Sequence, residues 1–462
     1  LITITRLLAR NVSTLFRRGL MLSPREARFL PVTVIVGHGV RLFRAATSEF
    51  AVQYQEPTDQ TAATVTVPWE ALHKVSGNKP DPVTLACEDK DIVAQWNDKD
   101  IPQVERSPVP DAKTVKPFPA EPTAWAENSP ELLAALHHAF ETTDAQPCRY
   151  ALASIQFRGA SGSLAAADGR QLLVQHGFTF GFDEDLLARP TSVFGASQLA
   201  DNTPVRLGRS EKHLAVRTGP WTFWMPIDTE GRFPRVDDIV PRVANTHTSV
   251  DLHPGDANFL AENLSRLPTA EGDCGAVTLD LNGDVLVRSR GEGSTQPTEL
   301  KLINSNKSGD DIRLVTDRKY LSRALAMGLS RLHISDPNSP ILAQDDRRSY
   351  LWALLDKDGV IKPSPDAIVV ESPFASTRTN SGNTSRVRST PTPMPKSKSV
   401  SRPVATEPHE PVASSPVRDN TPPNSSPIEQ AIHLRGVLRD PCGSRADYPG
   451  HTCGPQGAGK AR

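Results

Sequence analysis

Several clusters in the sequence have the residue types that chemistry requires. Cys442, His451 and Cys453 offer thiol and imidazole donors of the kind that hold zinc, yet they lack a CxxC pair and a fourth ligand. Gly454-Pro455-Gln456-Gly457-Ala458-Gly459-Lys460 has the spacing of a phosphate-cradling loop. Ala461 stands where a hydroxyl would hold magnesium, however, and neither a strand before it nor room for a helix after it completes the motif. Adjacent carboxylates at Asp237-Asp238, Asp310-Asp311 and Asp345-Asp346 sit in polar turns beside basic residues, which suits solvated turns better than a metal site. His137 and His138 are neighbours and so cannot share a helix face. No Ser-His-Asp order or CxxC redox pair offers a nucleophile. The expectation is no catalytic residue, no metal, no cofactor and no enzyme.

Arginine offers another chemistry. Thr5 to Leu22 places Leu8, Val12 and Leu15 on one helical face and Arg6, Arg10, Arg17 and Arg18 around the rest, with no acid before Glu26. An ordinary first helix with a basic polar face fits this pattern, and so does a mitochondrial presequence. A third reading depends on the elements that would position these cations. Leu1 in place of Met suggests a fragment or a non-standard start.

The chain has 462 residues, net charge -1, 41 prolines and 29 glycines, a length that allows about three domains or fewer plus a disordered segment. The near balance of charge excludes a uniformly basic way of holding nucleic acid, so a basic face must come from arrangement. No apolar run reaches the roughly 18 residues that a membrane-spanning helix needs. Five widely spaced cysteines without a signal peptide suggest a reducing, cytoplasmic compartment. Near Pro363 the composition changes to Pro, Ser and Thr, so 363–462 is expected to be disordered. Within it, a helical pattern from Ile428 to Arg439 breaks off abruptly at Pro441, as a frameshift or a truncated gene model would leave it.

Before that break, the dominant feature is internal repetition. Val32 to Gln55, Ala153 to His176 and Ala276 to Leu302 each alternate apolar and polar residues about Gly-containing turns, the pattern of half-buried antiparallel strands. A helix is expected before each segment: Thr5 to Leu22, Ser129 to Thr142 with Ser129 as N-cap, and Pro254 to Leu267. Another follows each, at Pro68 to Ser76, Ala196 to Asp201 and Asp317 to Leu329. The expected fold class is α+β, with units at 1–120, 121–243 and 244–362. If each unit keeps its helices on one side, three in series make an arc with a helical concave face, and two arcs can close a ring.

At this point the residues resemble the bacterial replicative sliding clamp family, the beta subunit of DNA polymerase III. Ala167-Asp168-Gly169-Arg170-Gln171-Leu172 is similar to the family's Thr-Asp-Gly-His-Arg-Leu, and Gly231-Arg232-Phe233-Pro234 to Ile239-Val240-Pro241 is similar to its Gly-x-Phe-Pro followed by x-Leu/Ile-Pro. Asp317-Arg318-Lys319-Tyr320-Leu321, Ser335-Asp336-Pro337-Asn338-Ser339-Pro340 and Tyr350-Leu351-Trp352 look like three landmarks of the family's third domain. The resemblance implies three tandem clamp domains with inner helices and outer antiparallel sheets. It also implies a homodimeric ring around duplex DNA, with a DNA polymerase and a clamp loader as partners.

DNA contacts without base information are then expected from Arg6, Arg10, Arg17, Arg18, Lys74, Arg318, Lys319 and Arg323. A cleft for a partner's apolar peptide is implied at Asp168, Gly169, Arg170, Gln171, Leu172, Pro241, Ala353, Leu354 and Leu355. The last three stand where the family has Met-Pro-Met. That departure, with Arg170 for His and Gln171 for Arg, also fits a diverged paralogue or a clamp-fold scaffold that binds proteins without encircling DNA.

Overall fold

The computed structural model describes residues 1–144, 150–199, 202–269 and 275–374. All three repeated segments form antiparallel three-strand meanders. They comprise Pro31–Gly37, Val40–Ala46 and Ala51–Pro57; Ile155–Arg158, Ser163–Ala167 and Gln171–His176; and Ala276–Asp280, Leu286–Ser289 and Thr298–Lys301. The cause is legible locally: alternating side chains along Val40–Ala46 are buried, as a pleated strand with one face on a core requires.

Helix α1 (Arg6–Gly19) is capped by Thr5, whose hydroxyl accepts from Leu8 N at 3.1 Å, and it buries Leu8, Val12, Leu15 and Phe16. A single capped turn, α2 (Pro24–Ala27), and the short α3 (Trp69–Lys74) complete the helices of the first unit. The second unit contributes α4 (Glu131–Thr142), and the third contributes α5 (Pro254–Asn263) and α6 (Arg318–Ala326). Ser129 does not cap α4 through its side chain; Pro130 holds the cap position with no side-chain bond. The helix expected over Ala196 to Asp201 is replaced by two 3-10 turns, Ser192–Gly195 and Ser197–Leu199. Thr191 caps the first turn by accepting from Val193 N, and Gly195 lies so close to α4 that a Cβ there would sit 2.4 Å from the His137 ring. Ala200 and Asp201 lie outside the described residues.

Four sheets back the helices, and two of them run through from one unit to the next. Ala51–Pro57 pairs with Trp221–Pro226, and Gln171–His176 pairs with Arg348–Trp352. The first joint is apolar. Trp221 lies opposite Tyr54 with ring centroids 4.5 Å apart, and one buried cluster extends from Ile2 through Phe43 and Val52 to Phe223 and Met225. At that joint α1 ends on Gly19, where a Cβ would meet Val52 at 2.6 Å and Phe223 at 3.1 Å, so only glycine permits the approach.

The fold also continues beyond Pro363. Residues Ile368–Glu371 form a strand on the third-unit sheet, although their surroundings read as disordered by composition. The remainder of that reading, from residue 375 onward, lies outside the described residues, as do the cysteine, glycine-loop and helix patterns within it.

Candidate nucleic-acid interface and apolar cleft

Among the described residues, five of the six helices take part in two sets of contacts. Helix α3 packs on α1, α1 and α4 both pack on Ser192–Gly195, and α5 packs on α6. The link between α4 and α6 is the pair Glu141–Arg323 at 3.8 Å. Arg18 donates to Ser192 O, and Thr191 Oγ1 donates to Arg18 O at 2.7 Å, fastening the first unit to the second.

The eight cations expected to face phosphate have different fates. Arg10 is exposed and donates to Asn78, while Arg17 and Arg18 are half-buried at the same polar face of α1. Among the described residues none of the three pairs with a carboxylate. Partial burial and the neighbouring Arg17 lower the pKa of Arg18, the sign expected where positive charge is not neutralised. Lys319 is exposed at the start of α6, with Nζ 5.9 Å from the Tyr320 ring centroid.

The other four are committed elsewhere. Arg6 pairs with Asp98 at 3.1 Å and donates to Val75 O and Ser76 O. Lys74 is held by Glu105 at 2.6 Å, with Glu70 at 3.9 Å. Arg318 donates to the carbonyls of Gly275, Leu264, Leu267 and Pro268. Arg323 is directed into the fold toward Gln171 and Glu141, its side chain only 12% exposed. These four spend donors on protein oxygens, as Arg17 does on Leu22 O and Arg18 on Ser192 O. The outer face of α4 presents Glu131, Ala134 and Glu141, and the cations without a carboxylate partner among the described residues include Arg10, Arg17 and Arg18 of α1 and Lys319 of α6.

The joint between the second and third units is polar at its centre. Buried Gln171 accepts from the Tyr350 hydroxyl at 2.6 Å and from Arg323, and donates to Asp168 Oδ2 at 2.8 Å. Tyr350 is wholly buried, which raises its pKa well above the ordinary value. Gly169 makes the turn at φ +90°, and Asp168 Oδ1 accepts from Arg170 N and Gln171 N. Burial raises the pKa of Asp168 in spite of those bonds.

Beside this turn lie several of the residues expected to line the partner-peptide cleft. Leu172, Leu351, Ala353, Leu152, Ala165 and Ala167 belong to a buried apolar cluster there, half-buried Tyr150, Phe233, Ile239 and Val240 pack against it, and half-buried Pro241 follows in the chain. Ala353 N donates to Arg170 O at 2.8 Å, joining the carboxyl-terminal strand to the turn. The exposed Arg170 side chain stands at the turn. Leu354 does not belong to this cluster: it packs in the third-unit core, because successive side chains of an extended chain point to opposite sides. Leu355 is half-buried, with its amide bonded to Val315 O. Phe233, Ile239 and Val240 were visible in the sequence only as part of the Gly231 to Pro241 stretch. Nothing in the local pattern marked them as a surface.

No family model matches the chain, and no curated protein matches it in sequence. Solved structures do, each match covering 77% of this chain and 99% of the other. A Pseudomonas aeruginosa sliding clamp, DNA polymerase III subunit beta, bound to griselimycin is 17% identical with a TM-score of 0.60. The DNA polymerase III beta subunit of Thermotoga maritima is 16% identical with a TM-score of 0.62. The Helicobacter pylori beta clamp bound to a DNA ligase peptide is 17% identical with a TM-score of 0.60. The likeness is one of fold: this chain has three tandem clamp-like units.

Proposed function

We propose that the chain is a sliding-clamp-like processivity factor, a non-enzymatic homodimeric ring that encircles duplex DNA and tethers a polymerase or another DNA-acting partner. The observation that carries this reading is the series of packed helices, α3 on α1, α1 and α4 on Ser192–Gly195 and α5 on α6, with Arg10, Arg17 and Arg18 of α1 uncompensated by carboxylates. The three units are read as 1–120, 121–243 and 244–362, the third extended by the strand at Ile368–Glu371. On this reading the ring acts in the cytoplasm, on the nucleoid, and a clamp loader opens it.

The mechanism follows from the kind of contact. Flexible guanidinium groups neutralise phosphates and release counterions without reading bases, so the free energy is nearly uniform along the duplex and the protein can slide. Retention then depends on closure of the ring. The half-buried set of Phe233, Ile239 and Val240 beside Leu172 and Ala353 suits a short apolar peptide of a partner, consistent with the ligase peptide bound by the Helicobacter pylori clamp. The test is retention after assisted loading. Closed circular duplex should keep the protein and linear duplex should lose it, whereas equal loss from both would refute encirclement.

A second reading, a clamp-fold scaffold without DNA, is favoured by the outer face of α4, which carries Glu131 and Glu141 and no Lys or Arg. It predicts no salt-dependent DNA binding at any protein concentration.

A further inference from the structure

Every strand pairing in the described residues is antiparallel except one, that of Ile368–Glu371 with Thr298–Lys301. The strand order of the third-unit sheet makes Thr298–Lys301 its edge without this addition. The chain reaches it from Trp352 by crossing the sheet, with Leu355 N bonded to Val315 O and Ile361 N bonded to Thr278 Oγ1.

The way this strand is held is unusual. Ile368 and Val369 are 51% exposed and Val370 is 42% exposed, so none of the three is buried in a core. All four residues of the strand are exposed, and each hydrogen bond of its ladder contributes a net of only about 1 kcal/mol. Segments with few buried contacts and exposed backbone bonds occupy the low-stability end of a fold. The buried fastening comes just after it, at Ser372, which is 2% exposed. Its hydroxyl donates to Asp256 Oδ1 at 2.7 Å and accepts from Ile303 N at 3.0 Å, and its amide donates to Lys301 O at 2.9 Å. Asp256 also accepts from Asn304 and Ser305, so this carboxylate remains satisfied if Ser372 departs.

The first-unit sheet finishes on Ile101–Pro108, a strand paired on one side only, with Ile101 63% and Val104 58% exposed. The opposite edge of that sheet is guarded differently: Gln60 occupies both the amide and the carbonyl of Thr3, at 3.0 and 2.7 Å. Natural sheets cover their edges to prevent unwanted pairing. One terminal edge is thus left open, and the other is covered by a weakly held strand of the same chain.

We propose that Ile368–Glu371 is a displaceable cap, latched by Ser372 on Asp256, and that its release frees the Thr298–Lys301 edge to pair with Ile101–Pro108 of a second copy. The second half rests on the ring reading above, since head-to-tail pairing of these two edges is what closes two arcs. Ring closure would then be controlled by the chain's own carboxyl-terminal segment.

The test is sedimentation of the full chain and its variants. The amides of Ile368 and Ser372 face Thr298–Lys301, so the two-residue alternation places Val370 N there too, and Val370→Pro should dislodge the strand. We expect Val370→Pro to self-associate at least tenfold more tightly than the parent, with Ser372→Ala in between. Adding Ile101→Lys with Val104→Lys should abolish the gain. Circular dichroism checks that each variant is folded; should Val370→Pro unfold, Ser372→Ala carries the test. A parent already dimeric and unaffected by release would overturn the cap and leave the ring reading standing. A parent and released variants that all stay monomeric would overturn both. A released dimer insensitive to the lysine pair would overturn the assignment of the partner edge.

Discussion

Helices α1 and α6 begin from the same local signature and end with opposite roles. Each is capped by a polar residue, Thr5 accepting from Leu8 N and Asp317 accepting from Lys319 N, and each follows its cap at once with arginine. In α1 the residues at 10, 17 and 18 remain on the polar face without carboxylate partners. In α6, Arg318 binds four backbone carbonyls and Arg323 reaches the centre of a joint between units. Cationic helices in one sequence thus divide into a surface that can meet an anion and a brace that holds the fold.

The largest effect that would sharpen this contrast is on stability. Arg318→Glu removes donors from partly buried carbonyls and places negative charge against them, at an expected cost on the order of 3 kcal/mol. Arg323→Glu should cost a similar amount, because it opposes Glu141 and deprives buried Gln171 of a donor. Urea unfolding measures both, and a loss below about 0.5 kcal/mol would place these side chains on a tolerant surface after all. Reversing Arg318, Lys319 and Arg323 together therefore reports on folding and not on DNA.

A smaller effect tests the inward direction of Arg323 through His138 on α4. Burial first, then the positive neighbours His137, Arg348 and Arg323, lower His138 from 6.5 to about 4. The folded pKa lies below the unfolded one, so this contribution is intact above pH 6.5 and is lost as the pH falls toward 4. Between about pH 7.5 and about pH 5 the chain should lose on the order of 1–2 kcal/mol. His138→Gln should flatten that dependence, and Arg323→Gln should raise the His138 pKa as followed by NMR. An unmoved titration would mean that Arg323 does not face α4.

The smallest effect on stability is expected where the effect on DNA is clearest. Arg10→Glu with Arg17→Glu should change stability by less than about 0.5 kcal/mol per site. The slope of log K against log salt for duplex binding should lose about 0.9 for each phosphate contact removed. Anisotropy titrations over a range of salt measure it, and an unchanged slope would remove α1 from the interface.

Much of the fold was legible because its causes are local. Period-two alternation about Gly turns placed the three meanders, and periodic apolar residues placed α1, α4 and α5. The short connection in the second unit was misread as a helix. Close packing of Gly195 on His137 and the Thr191 cap favour a 3-10 turn there, and only the first of these is a long-range contact. The candidate site was legible as an inventory of residue types, without their assignments. Nothing near Arg318 in the chain announces that Leu264, Leu267 and Pro268 will surround it, and nothing near Gln171 announces Tyr350.

By itself the sequence determined where the units repeat, which residues are apolar on a periodic face, and which helices carry cations, since each depends on neighbours within a few residues. Tertiary structure alone decided which cations remain available, which sheets run between units, and that Ile368–Glu371 covers an edge in a region that reads as disordered by composition. The physical reason is that a charge or a strand edge is defined by what lies opposite it, and the opposite partner comes from distant parts of the chain.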